Sequence, residues 1–129
     1  MNISDLSVVL TGASGGIGAA TAGALVRNGA RVLLVARSHE PLAALARALG
    51  DGAKPGQVEA LAVDVTTVSG RADIVALAGV RRVNTLIQCA GTPYFGPLAD
   101  AEDARIESVL ATNLIAPIQL ARALLPQLI

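Results

Sequence analysis

The sequence predicts an α/β protein, a parallel sheet with helices on both faces and three layers in all. Short apolar runs alternate with helical segments in the order βαβαβαβα. The runs are continuous rather than alternating, as in parallel strands covered on both faces. Right-handed crossovers then place helices above and below one sheet. The chain has 129 residues, which is the length of one domain and enough for a real core.

The elements follow in order. Leu6–Thr11 is apolar and β-branched, ends at Gly12, and reads as a buried strand. A glycine-rich turn spans residues 12–18, and a small-residue helix runs from Ala19 to Asn28, stopped by Gly29. Arg31–Ala36 is a second buried strand. Pro41 opens a helix through Leu49, and residues 50–56, with three glycines and a proline, form a loop. Val58–Val63 is a third strand, ending at Asp64. A helix over Ser69–Gly79 leads to a fourth strand, Val83–Cys89, ending at Ala90-Gly91. The loop from Thr92 to Pro97 precedes a long helix from about Ala101 to the end. Its stripe of Ile106, Leu110, Leu114, Ile118, Ala121, Leu125 and Leu128 predicts one buried face, and Pro117 should bend it. No repeat, low-complexity tract or linker divides the chain, so residues 1–129 are expected to form a single domain.

Composition narrows the function. Ten basic and ten acidic side chains cancel, and 53% of residues are hydrophobic, with a mean hydropathy of +0.58. That balance argues against disorder and against a nucleic-acid binder, which needs a basic surplus. The lone cysteine, Cys89, excludes an internal disulfide framework and a cysteine-rich zinc site, and it reads as a small buried filler. The lone histidine, His39, reads as a surface loop residue, with no second histidine for a metal. Glu107 and Arg122 bracket only fourteen uncharged residues, short of the roughly 20 a spanning helix needs. With no basic segment before the first apolar run, the expectation is a cytoplasmic protein without a membrane partner.

Strand, glycine turn and helix together make a dinucleotide-binding arrangement. Glycines admit the backbone close to a pyrophosphate, and the helix N-terminus offers unpaired N–H groups and a positive dipole. The spacing is neither Gly-x-Gly-x-x-Gly nor a P-loop, since no lysine follows. It is Thr11-Gly12-x-x-x-Gly16-x-Gly18, and this resembles the fingerprint of the short-chain dehydrogenase/reductase family. Further marks follow in the family's order. Asp64 resembles its adenine-contacting acid, Ala90-Gly91 the end of its Asn-Asn-Ala-Gly motif, and Asn113 its fourth-helix asparagine, while Gly96-Pro97-Leu98 also has the family's look. One departure is Gln88-Cys89 in place of two asparagines.

The resemblance implies a Rossmann-type fold with strand order 3-2-1-4 and a cofactor site at Thr11, Gly12, Ser14, Gly16, Ile17, Gly18, Arg37, Asp64, Val65, Ala90 and Gly91. Charge selects the cofactor. The second strand ends without a carboxylate for a ribose hydroxyl, and Arg37 is placed to pair with a 2′-phosphate that Ser14 can also reach. NADP(H) is therefore expected over NAD(H), with Glu40 positioned to blunt the preference.

The family's chemistry is hydride transfer between the nicotinamide and a carbonyl or alcohol carbon, with a Tyr-x-x-x-Lys pair and a serine. Tyr94 plus four is Leu98, and the only lysine is Lys54, so this chain holds no such pair. Asn113 would keep a supporting place in a proton relay and should lie buried and hydrogen-bonded. The expectation is a cofactor-binding half, incomplete relative to the family and inactive by itself. Its fourth strand and last helix would be open to self-association or a partner. The alternative is a non-catalytic NADP-binding or interaction module.

Overall fold

The computed structural model describes all of residues 1–129. Its core is a four-stranded parallel sheet of β1 (Ser7–Thr11), β2 (Arg31–Ala36), β3 (Val58–Ala62) and β4 (Thr85–Gln88), in the order β3-β2-β1-β4. The order is the one expected. In register, Val9 lies beside Leu33 of β2 and Leu86 of β4. The strands are joined by α1 (Gly16–Arg27), α2 (His39–Gly50) and α3 (Val68–Val80). After β4 come α4 (Asp103–Leu110), a π turn at Ala111–Ile115, and α5 (Ala116–Leu128).

The two faces of the sheet carry separate cores because successive strand residues point opposite ways. Val8, Leu10, Val32 and Leu34 pack with Ala22, Leu25 and Val26 of α1 and Leu42 of α2. Val9, Leu33 and Val35 face the other way, against Ile74 and Ala78 of α3 and Ala116, Leu120 and Leu124 of α5. Burying each such aliphatic side chain contributes roughly 1.5–3 kcal/mol. β1 is buried throughout and β2 from Val32 onward, as continuous apolar runs should be, with Arg31 alone exposed. β3 and β4 are only half-buried, because each is an edge of the sheet.

Below the sheet, Gln57 is one of three buried polar side chains. Its amide donates to the Val26 and Ala30 carbonyls at 2.9 and 3.0 Å and accepts from the Lys54 amide at 2.9 Å. This ties the loop before β3 to the end of α1. The exposed loop of residues 50–56 turns through Gly52 and Gly56, both in the left-handed region. Arg81 bridges the same loop to β3, pairing with Glu59 and donating to the Gly56 carbonyl.

Several boundaries move. α2 begins at His39 rather than Pro41, since a proline is tolerated in the first turn, where no helical N–H partner is needed. His39 is thus exposed at a helix start, not in a loop. β4 is shorter than Val83–Cys89, although Asn84 and Cys89 still donate to Ser7 and Thr11 of β1.

The last helix departs most from expectation. Ile106, Leu110, Leu114, Ile118 and Leu125 of the predicted buried stripe are exposed. The buried line is instead Ala116, Leu120 and Leu124. For Ile118 and Leu125 the π turn supplies the reason: each residue advances a helix about 100°, so an extra residue per turn rotates everything beyond it, whereas Ile106 and Leu110 precede it on α4, which buries no residue. Pro117 sits at the second position of α5, directly after that turn. Having no N–H, it offers no α-helical bond to the Asn113 carbonyl, and the widened turn accommodates the loss. Together, Asp103–Leu128 make a 26-residue helix with a mean hydropathy of 1.4 in its most apolar stretch, long and apolar enough to cross a membrane by that measure alone. Here its inner line packs on α3 instead.

Candidate functional site

All four strands point their C-terminal ends the same way, so the residues just beyond them converge. They form a cleft of about 220 Å³. Gly12, Ser14 and Gly15 come from the turn after β1, and Arg37 and Ser38 from the tip of β2. Asp64 and Val65 follow β3, while Ala90 and Gly91 follow β4. In open parallel sheets, ligands sit at the point where the strand order reverses, which here lies between β1 and β4.

The turn is built by close approach. Gly12 has φ +66°, and a Cβ there would lie 2.5 Å from the Ala90 amide nitrogen. Gly18 is pressed against the Gly12 carbonyl, so the first turn of α1 lies directly on the loop. Ala13 donates to the Val35 carbonyl at 3.1 Å, which fixes the turn to β2. Thr11 is buried, and its hydroxyl accepts from the Ala90 amide at 3.4 Å.

The start of α1 is open. Its N-cap is Gly15, with no capping side chain and no acid in the first turn. The first helical N–H groups therefore have neither intrahelical nor side-chain partners, and the positive end of the dipole is uncompensated. A Cβ at Gly16 would meet nothing within 4 Å. This is a cradle shaped and charged for a pyrophosphate, so the donor set fits a dinucleotide.

Asp64 is the one carboxylate in the cleft wall. It accepts from the Thr66 hydroxyl at 2.7 Å and the Thr66 amide at 2.8 Å. Those bonds hold its carboxyl below the usual carboxylate range; partial burial opposes them, and the Arg37 charge adds to the lowering. Arg37 itself is exposed at the cleft edge and makes no ion pair with any carboxylate.

On the β4 side, Asn113 leaves the π turn to grip the chain. Its Oδ1 accepts from the Thr92 amide at 2.8 Å and its Nδ2 donates to the Thr92 carbonyl at 2.9 Å. It is hydrogen-bonded as expected but exposed rather than buried, because the stripe it belongs to faces outward. Gln88 donates to the Pro117 carbonyl at 3.2 Å, a second tie between β4 and the helix. Tyr94 is turned onto its own loop, its hydroxyl donating to the Pro97 carbonyl at 3.0 Å.

Of the residues singled out from sequence, Gly12, Ser14, Arg37, Asp64, Val65, Ala90 and Gly91 meet in the cleft. Thr11, Gly16, Ile17, Gly18 and Asn113 do not line it. Thr11 and Gly18 support its floor, Gly16 and Ile17 open α1 beside it, and Asn113 stands behind Thr92. Gly15, Val35, Ala36, Ser38, Val63, Cys89 and Thr112 line it without having been singled out as site residues. All but Thr112 lie within two residues of those singled out, in the glycine turn or at a strand end. Thr112 arrives through the π turn, which no pattern announces. Cys89 is half-buried between the core and the cleft, not a fully buried filler.

Sheet order and glycine turn define the fold as Rossmann-type. The chain belongs to the short-chain dehydrogenase family, whose model matches residues 7–129. It is 37% identical over 124 residues to the ketoacyl reductase HetN of Nostoc sp., covering 95% of this chain and 42% of that one. It is 36% identical over 124 residues to an NADPH-dependent 1-acyldihydroxyacetone phosphate reductase of Saccharomyces cerevisiae, covering 90% of this chain and 39% of the relative. Among solved structures, a metagenomic short-chain oxidoreductase in complex with NADP superposes with a TM-score of 0.85 at 38% identity, over 95% of this chain and 57% of that one. An L-sorbose reductase of Gluconobacter frateurii, complexed with NADPH and L-sorbose, gives 0.87 at 30% identity, over 99% and 50%. The chain spans 42%, 51% and 43% of the lengths of three curated relatives it matches, about half or less.

Proposed function

We propose that this chain is the NADP(H)-binding half of an oxidoreductase that reduces carbonyls or oxidises alcohols. The observation that carries the proposal is the tip of β2, where Arg37 and Ser38 line the cleft together with Ser14 and the strand itself ends in no carboxylate. A guanidinium with two hydroxyls suits a 2′-phosphate, whereas an acid there would select a free ribose hydroxyl. The NADP and NADPH complexes of two structural neighbours support the same reading.

On this reading, the open N–H groups at Gly16, Ile17 and Gly18 receive the pyrophosphate, and Gly12 lets the backbone approach it. Asp64 and Val65 flank the adenine, and Ala90 and Gly91 form the wall toward the nicotinamide. Bound NADPH supplies a hydride for a carbonyl carbon. Asn113 positions Thr92 just beyond Gly91, and takes a supporting place in proton transfer. The family's tyrosine and lysine have no counterpart in these residues, since the one Tyr and the one Lys lie 40 positions apart in the wrong order. The 129-residue chain is accordingly expected to bind cofactor and turn over no alcohol or carbonyl.

Arg37→Asp is the test. A charge-assisted hydrogen bond contributes about 1.5–3 kcal/mol, so NADPH affinity should fall about 10–100-fold while NADH affinity holds or rises. If neither affinity moves, Arg37 is not the selector. NADPH-dependent reduction by the purified 129-residue chain would overturn the role given to the missing tyrosine.

A second reading is favoured by the exposed Leu114, Ile118 and Leu125 on the last helix, beside the half-buried edge of β4. It takes the chain as a non-catalytic module that docks on a partner or itself through that face. A stoichiometric complex that buries this face would favour it; heterogeneous aggregates alone would count against it.

A further inference from the structure

At the end of α1 away from the cleft stands a reactive pair of residues. Asn28 is the one asparagine that a glycine follows, whereas Asn2, Asn84 and Asn113 precede isoleucine, threonine and leucine. An asparagine before glycine deamidates most readily, because no side chain shields the glycine nitrogen from the carboxamide. The fold requires that glycine. Gly29 has φ +88°, and a Cβ there would come 3.3 Å from the Ser4 Cβ in the N-terminal turn. Asn28 and Gly29 are both exposed, so water reaches them.

The same fold holds the pair in an unreactive form. The Ala30 amide donates to the Leu25 carbonyl at 3.0 Å and the Gly29 amide to the Val26 carbonyl at 3.0 Å, the pattern of a Schellman helix end. The nitrogen that must lose its proton and attack is thereby engaged. Asn28 Nδ2 donates to the Ala24 carbonyl at 2.8 Å, which draws the carboxamide back along the helix, away from Gly29. Gln57 then spans the pair. Its amide donates to the Val26 and Ala30 carbonyls, on either side of Asn28-Gly29, at 2.9 and 3.0 Å. The turn cannot unwind while both of those bonds hold.

We propose that Asn28 is a deamidation site that the fold keeps latched, with Gln57 as the latch. When the end of α1 opens, the Gly29 nitrogen gives its proton to hydroxide and bonds to Asn28 Cγ. The Cγ–Nδ2 bond breaks and ammonia leaves. Water then opens the ring, at Cγ to give aspartate or at the main-chain carbonyl to give isoaspartate. One water is consumed, one ammonia is released, and nothing is oxidised or reduced. Neither product restores the latch. A carboxylate has no proton to give the Ala24 carbonyl and stands at the negative end of the helix dipole, and isoaspartate adds an atom to the main chain of the turn. The change is therefore one-way, and it does not depend on the cofactor reading above.

The 129-residue chain is incubated at mildly alkaline pH in buffer and in guanidinium. Conversion is followed by the gain of one mass unit and located by peptide mapping. The mass separates it from isomerisation at Asp51-Gly52, which has no ammonia to lose. In guanidinium Asn28 should convert before the other three asparagines, giving both products. In buffer it should convert at least about tenfold more slowly, since reaction waits on local opening. Gln57→Ala should speed conversion in buffer about fivefold or more, the equivalent of one lost hydrogen bond. Ile74→Val, which trims a buried side chain on the other face of the sheet, lowers global stability and should leave the rate nearly unchanged. In the wild-type chain, the slowing should match the protection of the Gly29 amide against hydrogen exchange, because both need the same opening; this check stands even where Gln57→Ala does not fold. The proposal fails if Asn28 converts as fast in buffer as in guanidinium, or if another asparagine precedes it in guanidinium. It also fails if Gln57→Ala leaves the rate unchanged, if Ile74→Val matches its effect, or if the slowing and the Gly29 protection disagree.

Discussion

Gly12 and Gly16 belong to one turn but answer to different constraints. Gly12 combines a left-handed φ with backbone contact at Ala90, so Gly12→Ala should cost about 2–4 kcal/mol. Gly16 is helical with open space beside it, and Gly16→Ala should hold or raise stability by up to about 1 kcal/mol. If that open space is where a pyrophosphate approaches, the same change should weaken NADPH binding. Urea midpoints beside cofactor titrations check both signs. Asp64 gives a pH dependence. Its pKa is lowered in the fold, chiefly by the Thr66 hydroxyl, so its contribution is present above the usual carboxylate value near 4 and is lost as pH falls through the lowered one. Thr66→Val should shrink that acid-side loss, read as the difference in urea midpoint between neutral and acid pH. Gln57→Ala should cost about 1–3 kcal/mol, because the Ala30 carbonyl and the Lys54 amide lose the Gln57 side chain while the Val26 carbonyl keeps only the Gly29 amide.

The elements differ in how plainly the residues announce them. β1 and β2 are legible because continuous apolar runs of that length suit buried strands, and all their residues but Arg31 are buried. The cleft was legible for a related reason: parallel strands send their C-terminal ends to one side, so glycines and polar residues after each strand must meet there. The last helix was not. Its spacing of three and four was a true periodicity, but on an unbroken helix it picks out the line that the π turn leaves outside. Nothing in Ala111–Ile115 marks such a turn except the proline that follows it, and Pro117 signalled a bend instead. Asn113 shows the consequence: placed on a supposedly buried stripe, it stands exposed with both amide atoms on Thr92. Asn113→Ala should therefore cost only about 1 kcal/mol at so exposed a site, yet free the loop after β4. Faster amide exchange at Thr92 would register that release.

The molecule as a whole is a sheet with two well-filled faces and one unfilled side. Both cores are closed by α1, α2, α3 and α5, while Leu114, Ile118 and Leu125 remain outside. Contiguous exposed apolar surface of this kind marks an interaction site or an association hazard. Sedimentation should show concentration-dependent association, and Ile118→Glu, at a residue 60% exposed, should reduce it with little loss of stability. The central claim concerns the cleft at the C-terminal ends of the strands. It is tested most directly by calorimetric titration of the 129-residue chain with NADPH and with NADH. The account predicts saturable binding of NADPH, at least about tenfold tighter than NADH, in keeping with one charge-assisted contact to the 2′-phosphate. Equal affinities, or tighter binding of NADH, would contradict it.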